Sequence, residues 1–374
     1  MLRKFIYPLL LVGCLLTACS TTQEQDNWDL TPDSLQHASL FSIARADSFT
    51  VVDVKSAWAE GETLQRYILI PDSAPLPYKF PQGTLLRTPL RRAVMHNAVH
   101  AAIVAELGCA NAIKGICDVE YVQTPLLQRL LDAGYIADAG SSVQSDVELY
   151  ISLRADAVFT SPIEHASYGM LEKVGLPLIE CLDYMETSAL GRAEWMRLFG
   201  LLFDCEEQAN ELFSQVEKHY LALCDSVKNV SQRPRVMTDM MNGSTWYMPG
   251  GGSYLGNLLK DAGADYVLAH DKRSGSVPLS FESVFAMAAE ADLWLIKQAR
   301  NHRPTYAELK NEHATYTSFR PWKERTIYFC NTLSTDIYER IPFHPDVLLK
   351  ELIYLFHPES INTPHEAVYY LPLE

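Results

Sequence analysis

Short apolar runs along this chain end in residues able to hold a ligand. His96 and Asn97 follow "RRAVM", Tyr121 follows "GICDVE", and Ser161, His165 and Tyr168 come at and after the end of "DAVFTS". Farther on, Asn242, Trp246 and Tyr247 come after "RVMTDM", Lys297, Arg300 and Asn301 after "DLWLI", and Asn331 and Arg340 after "TIYFC". In open α/β sheets ligands bind beyond the carboxyl ends of strands, so position selects these residues before chemistry does. The set is aromatic and amide with a few cations. Aromatic rings stack on a flat apolar macrocycle or an aryl-bearing chelate, and Arg or Lys pairs with carboxylate or catecholate oxygens.

Other chemistries lack their residues. No GxSxG announces a nucleophile elbow, and Glu206 with Glu207 fall on the solvated side of a helix. "PGGGSYLGNLL" puts three glycines before a helix, where N–H groups and the dipole can receive an anion. It lacks the Gly-Lys-Ser/Thr of a P-loop, and a plain turn feeding a helix is the simpler reading. His344 in "FHPD" and His357 in "FHPE" precede proline and an acid, which is what a helix start prefers. A zinc- or manganese-type site takes three or four ligands; no spacing identifies them, so no metal site and no resident cofactor is expected. Cys109 and Cys117 flank "CANAIKGIC" and could be bridged in an oxidising compartment. Buried free thiols are the simpler reading for them and for Cys181, Cys205, Cys224 and Cys330.

These positions need sheets to carry them. From Ser39 to about Leu90, alternating runs such as "DSFTVVDVKSAW" and "QRYILIPDS" suggest an antiparallel β portion. Strands then alternate with helices: "RRAVM" before a helix from Val99 to Leu107, "AIKGIC" before one from Thr124 to Ala133, "DVELYISLR" into "ADAVFTS", and "LPLIEC". That pattern implies a mainly parallel sheet covered on both faces. It restarts at "RPRVMTDM" and continues through "STWYM", "SYLGNLLKDAG", "ADYVLA", "FESVFAMAAEADLWLIK" and "ERTIYFCN" to a closing helix from Asp346 to Phe356.

Between the two series, Ala189 to Val227 runs without proline and, after Gly200, without glycine. Trp195, Leu198, Leu202, Cys205, Ala209, Leu212, Val216, Tyr220, Leu223 and Val227 recur at the spacing of one helical face. One unbroken helix there would reach roughly 58 Å, enough to run along two lobes, and would leave a largely preformed cleft. The expected fold is α/β: two Rossmann-like lobes joined by one long bridging α-helix, with an N-terminal antiparallel β elaboration.

The chain has 374 residues, 48% hydrophobic and 21% charged, which suits a folded protein of two or three domains. Its start, "MLRKFIYPLLLVGCLLTACS", has Arg3 and Lys4 before an apolar run too short to be a typical transmembrane helix. Leu16-Thr17-Ala18-Cys19 resembles the lipobox of bacterial lipoproteins, in which the signal is cut before the cysteine and the thiol is diacylated. Two acyl chains on Cys19 would hold the protein stably to a membrane. Loss of residues 1–18 removes two cations and no acid, taking the net charge from −15 to −17. Nucleic acid is therefore not an expected partner. The expected parts are a signal peptide (1–18), a flexible tether (19–38), an N-terminal lobe with its β extension (39–186), an interlobe helix (187–229) and a C-terminal lobe (230–374).

Two lobes bridged by a long helix behind a lipobox resemble the ABC-transporter substrate-binding proteins that deliver iron–siderophore complexes, haem or cobalamin. "LGRAEWMRLFGLLFDCEEQANELF" is similar to that family's bridging helix, and "DVELYISLRADAVFTS" to its helix-and-strand "E…ALKPDLV" pattern; the likeness covers about Arg91 to Glu359. The resemblance implies a non-enzymatic binding protein of the cell envelope, facing the periplasm or exterior, with a permease as partner and an iron siderophore, haem or cobalamin as cargo. His96 or His165, with Tyr121 or Tyr168, are the best-placed ligands for haem iron. Several family members dock through a glutamate on the first helix of each lobe, but spacing puts His100 there, with Glu106 a turn or two beyond and Asp261 a candidate in the second lobe. The rival reading is a tetrapyrrole chelatase using His96 or His165 for proton transfer.

Overall fold

The computed structural model describes residues 28–165, 167–360 and 366–374. Cys19, the signal segment and the first part of the tether lie outside the described residues. The N-terminal strands β1 (Thr31–Pro32), β2 (Phe41–Arg45), β3 (Thr50–Lys55) and β4 (Thr63–Pro71) pair antiparallel in chain order. β5 (Thr84–Thr88) joins β4 in parallel, so the elaboration is antiparallel only as far as β4. Side chains alternate across β4: Tyr67 and Leu69 enter the main core, while Ile68 and Ile70 enter a satellite cluster with Phe49 and Val51.

The flexible tether expected as far as residue 38 is corrected. From Thr31 the chain is paired in the sheet, and the buried Glu194 carboxylate accepts the N–H groups of Gln36, His37 and Ala38 at 2.8–3.1 Å. Glu186 does the same for Ser39 and Leu40, each at 2.9 Å. Backbone donors at these positions have no ladder partner, and the two carboxylates supply one.

In lobe one, β6 (Ala93–Met95), β7 (Ile113–Ile116), β8 (Ala137–Asp138), β9 (Ala157–Thr160) and β10 (Leu178–Glu180) form a parallel sheet in the order β10-β9-β6-β7-β8. Helices α1 (Ala98–Glu106), α2 (Pro125–Asp132) and α3 (Val147–Ser152) connect its strands. The chain reverses direction across the sheet between β6 and β9, where such folds leave a crevice at the carboxyl ends.

The bridging segment is not one helix. It consists of α4 (Ala189–Glu194), α5 (Met196–Phe203) and α6 (Glu206–Ser226). Trp195 makes a tight turn between the first two, fully buried with its indole N–H on Glu186 at 3.0 Å. The sharper break is Asp204, at φ 58° and ψ 42°, a left-handed conformation that aspartate tolerates better than most residues. Gly200 permits the corner, since a Cβ there would lie 2.7 Å from the Ala209 Cβ. The crossing is therefore the 21 residues of α6, roughly 31 Å, rooted at lobe one and packed along lobe two.

Lobe two contains β11 (Arg235–Thr238), β12 (Met241–Asn242), β13 (Thr245–Pro249), β14 (Asp265–Tyr266), β15 (Ser276–Leu279), β16 (Leu293–Gln298), β17 (Ile327–Asn331) and β18 (Leu371–Pro372). Its main sheet runs β14-β11-β16-β17-β18, parallel except for β18, and β12-β13-β15 form a small antiparallel sheet beside it. Helices α7 (Tyr254–Asp261), α8 (Phe281–Ala288), α9 (Tyr306–Glu312), α10 (Arg320–Glu324), α11 (Ile337–Arg340) and α12 (Pro345–Phe356) complete it. The fold is two α/β lobes with an N-terminal β elaboration. One apolar core runs through both lobes, with Phe199 of α5 edge-on to Phe343 at 5.8 Å.

Candidate functional site

A cavity of about 420 Å³ opens between the lobes, within the usual range of small-molecule sites. It lies at the carboxyl ends of central strands from both sheets: β6 and β7 lead into His96, Asn97, Cys117 and Asp118, and β16 and β17 lead into Ala299 and Thr332, with Gln298 closing β16. Tyr121 and Gln123 extend the first wall, and Thr335, Tyr338 and Glu339 extend the second. The expected geometry of strand ends facing a shared groove is present, even though the expected unbroken rod is not.

The lobe-one wall is backed by a buried polar chain. His96 Nε2 lies 3.3 Å from the Tyr150 hydroxyl, which lies 3.2 Å from Cys117 Sγ. Burial lowers His96 to about 4, so its imidazole is neutral at pH 7, and burial pushes the Cys117 thiol up to about 11. Asn97 is held by a 3.0 Å bond from its Nδ2 to Ser161 Oγ. Asp118, at φ 50°, turns its carboxylate onto Ser142, binding the 141–143 loop.

The lobe-two wall is built on the short helix α11. Tyr338 is 57% exposed and faces the cavity, with Lys297 Nζ 5.1 Å from its ring centroid. Glu339 is buried and reaches across the groove: its carboxylate accepts Gln123 N–H at 2.6 Å and the Thr124 hydroxyl at 2.5 Å. Burial raises its pKa, an effect that the bonds from Thr124 and Gln123 oppose. A second interlobe contact joins His344 Nε2 to Glu106 at 2.8 Å. With α1 packed on α11, the two lobes are already latched along one edge of the cavity.

Of the residues singled out from sequence, His96, Asn97 and Tyr121 line this cavity, and Lys297 and Ser161 stand directly behind lining residues. The others are elsewhere. His165 is an exposed loop residue at φ 60°, and Tyr168 has its hydroxyl on Thr160 and faces a groove beside β5. Trp246 is fully buried among Trp294, Tyr316 and Phe319, its indole bonded to Thr238 O. Asn242 and Tyr247 sit on the exposed side of the small hairpin. Arg300 is spent on Glu312, through contacts of 2.5 and 2.6 Å, and on Gln298 at 2.7 Å. Asn331 clamps the same loop, accepting Arg300 N–H and donating to Arg300 O. Arg340 lines a neighbouring groove of about 330 Å³ with Glu106, Asp336 and Phe343.

Gln298, Thr332, Thr335, Tyr338 and Glu339 escaped the sequence reading. Only their place at or after the ends of β16 and β17 signals them, because a helix as short as the four residues of α11 shows no periodicity. None of the described lining residues is Lys or Arg.

Several other expectations change. Cys109 and Cys117 are both free, with Cys117 turned toward Tyr150 and Ala139 O rather than toward Cys109. His100 is fully buried at 3.0 Å from Asp183, which also takes Arg192 Nε at 3.1 Å, so this position has no surface to offer a permease. Burial would raise Asp183, but Arg192 and His100 overcome it and hold the carboxyl below its usual range. Glu106 is spent on His344, and Asp261 takes the Tyr220 hydroxyl at 2.7 Å. The triple glycine is filled by backbone: a Cβ at Gly250, Gly251 or Gly252 would meet carbonyl oxygens of residues 268–273 at 2.1–2.5 Å.

Comparison with known proteins agrees with this architecture. A family model described as periplasmic binding protein matches residues 100–332, more than half of the chain, and the chain belongs to that family. It is 23% identical over 289 residues to an uncharacterized lipoprotein of Methanocaldococcus jannaschii, spanning 74% of this chain and 68% of the relative. The fold resembles a periplasmic heme binding protein from Pseudomonas aeruginosa (16% identity, TM-score 0.60, 76% of this chain and 98% of the other). It also resembles an ABC-type Fe3+-hydroxamate transport system protein from Saccharomonospora viridis (17% identity, TM-score 0.56, 74% and 94%).

Proposed function

We propose that this member of the periplasmic binding protein family is an envelope lipoprotein, anchored through Cys19, that captures an iron–siderophore complex in the interlobe cavity and presents it to an ABC permease. The observation that carries the choice of cargo is the wall chemistry. Tyr121 and Tyr338 offer ring faces, Asn97, Gln123, Gln298 and Thr332 offer neutral donors and acceptors, and the charged groups present, Asp118 and Glu339, are acidic. Such a wall suits a neutral or cationic chelate, of which ferric hydroxamates are the type, and repels a polyanionic catecholate. Of the cations that the sequence offered for anionic oxygens, Arg300 is occupied by Glu312 and Lys297 by the Tyr338 face, and Arg340 lines the neighbouring groove.

A second reading is favoured by the two tyrosines, whose rings suit a flat tetrapyrrole, haem or cobalamin, with His96 neutral at the cavity wall as an iron ligand. The cargo is held without reaction in either case. A chelatase needs a proton-transfer group poised near the working pH, and His96, at about 4, is a weak base while His165 lies on an exposed loop away from the cavity.

The test is calorimetric titration of the purified protein with a ferric trihydroxamate, a ferric tricatecholate, haem and cobalamin. Tightest binding of the trihydroxamate is expected; preference for the tricatecholate would refute the cargo, and binding of none would refute the transport role. Recovery of the bound complex unchanged after long incubation separates carriage from catalysis.

A further inference from the structure

Two cysteines meet where lobe one joins the bridging segment. Cys109 Sγ lies 3.4 Å from Cys205 Sγ, although 96 residues separate them. Both are placed by left-handed residues just before them: Gly108, at φ 83°, turns the chain after α1, and Asp204, at φ 58°, turns it after α5. Cys205 is buried at the N-terminal cap of α6, and Cys109 is partly exposed beside it, near Phe203 O at 3.8 Å. Of the other described thiols, Cys117 meets Tyr150, Cys181 its neighbour Ile179 O, and Cys330 the Thr335 hydroxyl, while Cys224 is partly exposed on α6.

We propose that Cys109 and Cys205 are a disulfide-forming site, a staple between the end of α1 and the root of the bridging helix that closes outside the cytoplasm. A disulfide needs its sulfurs at ~2.05 Å, so each side chain need move by less than an ångström from the present contact. The co-reactant is a disulfide donor, either a dithiol oxidase of the envelope or a small-molecule disulfide, as an oxidising compartment supplies. Cys109, the more accessible thiol, attacks first as its thiolate; one donor sulfur leaves as a thiolate and a mixed disulfide forms. Cys205 then loses its proton and attacks Cys109 Sγ, expelling the second donor sulfur. The pair gives up two protons and two electrons, and the donor is reduced to two thiols. Burial and the neighbouring thiol raise Cys205, to about 12, so it suits the resolving role, in which contact with the mixed disulfide compensates for a small thiolate fraction.

The staple would close a loop of nearly a hundred residues, which removes much of the freedom of the unfolded chain. It would also fix the corner from which α6 starts, at the far end of α1 from Asn97 and the cavity. Titration of ligand and oxidation of the pair are thus separate measurements.

The experiment is a non-reducing peptide map of the full chain after incubation with oxidised glutathione, with melting recorded before and after phosphine reductant. A Cys109–Cys205 cross-linked peptide is expected, together with a fall in Tm on the order of 10 °C on reduction. Cys109→Ser and Cys205→Ser are each expected to melt alike with and without reductant, whereas Cys117→Ser keeps the reductant-dependent shift. A map lacking that peptide, or one with Cys109 joined to Cys117, would overturn the proposal whatever the variants do.

Discussion

The two walls of the cavity are built differently. Lobe one presents a buried His96 and half-buried Asn97 and Asp118, whose partners are fixed within the same lobe: His96 on Tyr150, Asn97 on Ser161, Asp118 on Ser142. Lobe two presents a half-exposed tyrosine and a buried glutamate on one turn of helix, and that glutamate finds its partners across the gap. The first wall is set before the lobes meet, and the second is completed by their meeting. Their titrations oppose each other as well. A histidine buried neutral makes the fold lose stability in acid, whereas a carboxyl whose pKa is raised by burial gains stability there.

The largest consequence lies with His96. Its pKa falls from 6.5 to about 4 on folding, so the stability it contributes is fully present above pH 6.5 and lost as pH falls toward 4. The span corresponds to about 3 kcal/mol. Chemical denaturation of the wild type and of His96→Gln at pH 4, 5, 6 and 7 should show this dependence in the first and its loss in the second. An unchanged acid limb in the variant would mean that other groups set it and that the first wall is not the acid-sensitive one.

Glu339 should act with the opposite sign. A carboxyl raised above its ordinary value contributes stability that is present below that value and is lost as pH rises through the raised one. Glu339→Gln, an uncharged mimic of the protonated form, is expected to flatten that part of the stability curve. Glu339→Ala leaves the Gln123 N–H without its acceptor and is expected to cost about 1–3 kcal/mol. It should also loosen the lobes, which scattering would register as a larger radius of gyration. A variant as compact and as stable as the wild type would deny Glu339 its latching role.

The same contrast explains what could be read from the sequence. Each lobe's main strands are short apolar runs followed by polar residues, so β6, β7, β16 and β17 and the cavity at their ends were legible, and with them His96, Asn97 and Tyr121. Trp246 and Tyr247 are adjacent in the sequence, but neighbours on a strand face opposite ways, and one is core while the other is exposed. The corner at Asp204 was hidden because the apolar spacing continues through it, and no proline or glycine marks a left-handed aspartate. Arg300 looked available because its partner Glu312 arrives from α9, twelve residues on. Glu339 is invisible for a related reason: its partners Gln123 and Thr124 lie in the other lobe.

Tyr338 tests the lobe-two wall directly. Its ring is exposed and bears little of the fold, so Tyr338→Ala should leave Tm within about 1 °C, as surface changes do. If the ring stacks on cargo, affinity for the tightest-binding complex should fall roughly two- to tenfold, since such contacts are worth ~0.5–1.5 kcal/mol. Tyr121→Ala provides the lobe-one counterpart, also more than half exposed. Loss through Tyr121 alone would place the cargo against the first wall only.

Arg300 should matter least. Its guanidinium lies against Glu312 and Gln298 at the edge of lobe two, and a partly exposed ion pair of this kind contributes ~0–1 kcal/mol. Arg300→Ala should therefore lower stability by no more than that and leave ligand affinity within about twofold, because Asn331 still holds the loop through Arg300 backbone atoms that the substitution keeps. A large loss of affinity would mean that the cargo pulls Arg300 away from Glu312 and into the cavity. The lobe-two wall would then carry a cation when loaded, and an anionic chelate would become the better cargo.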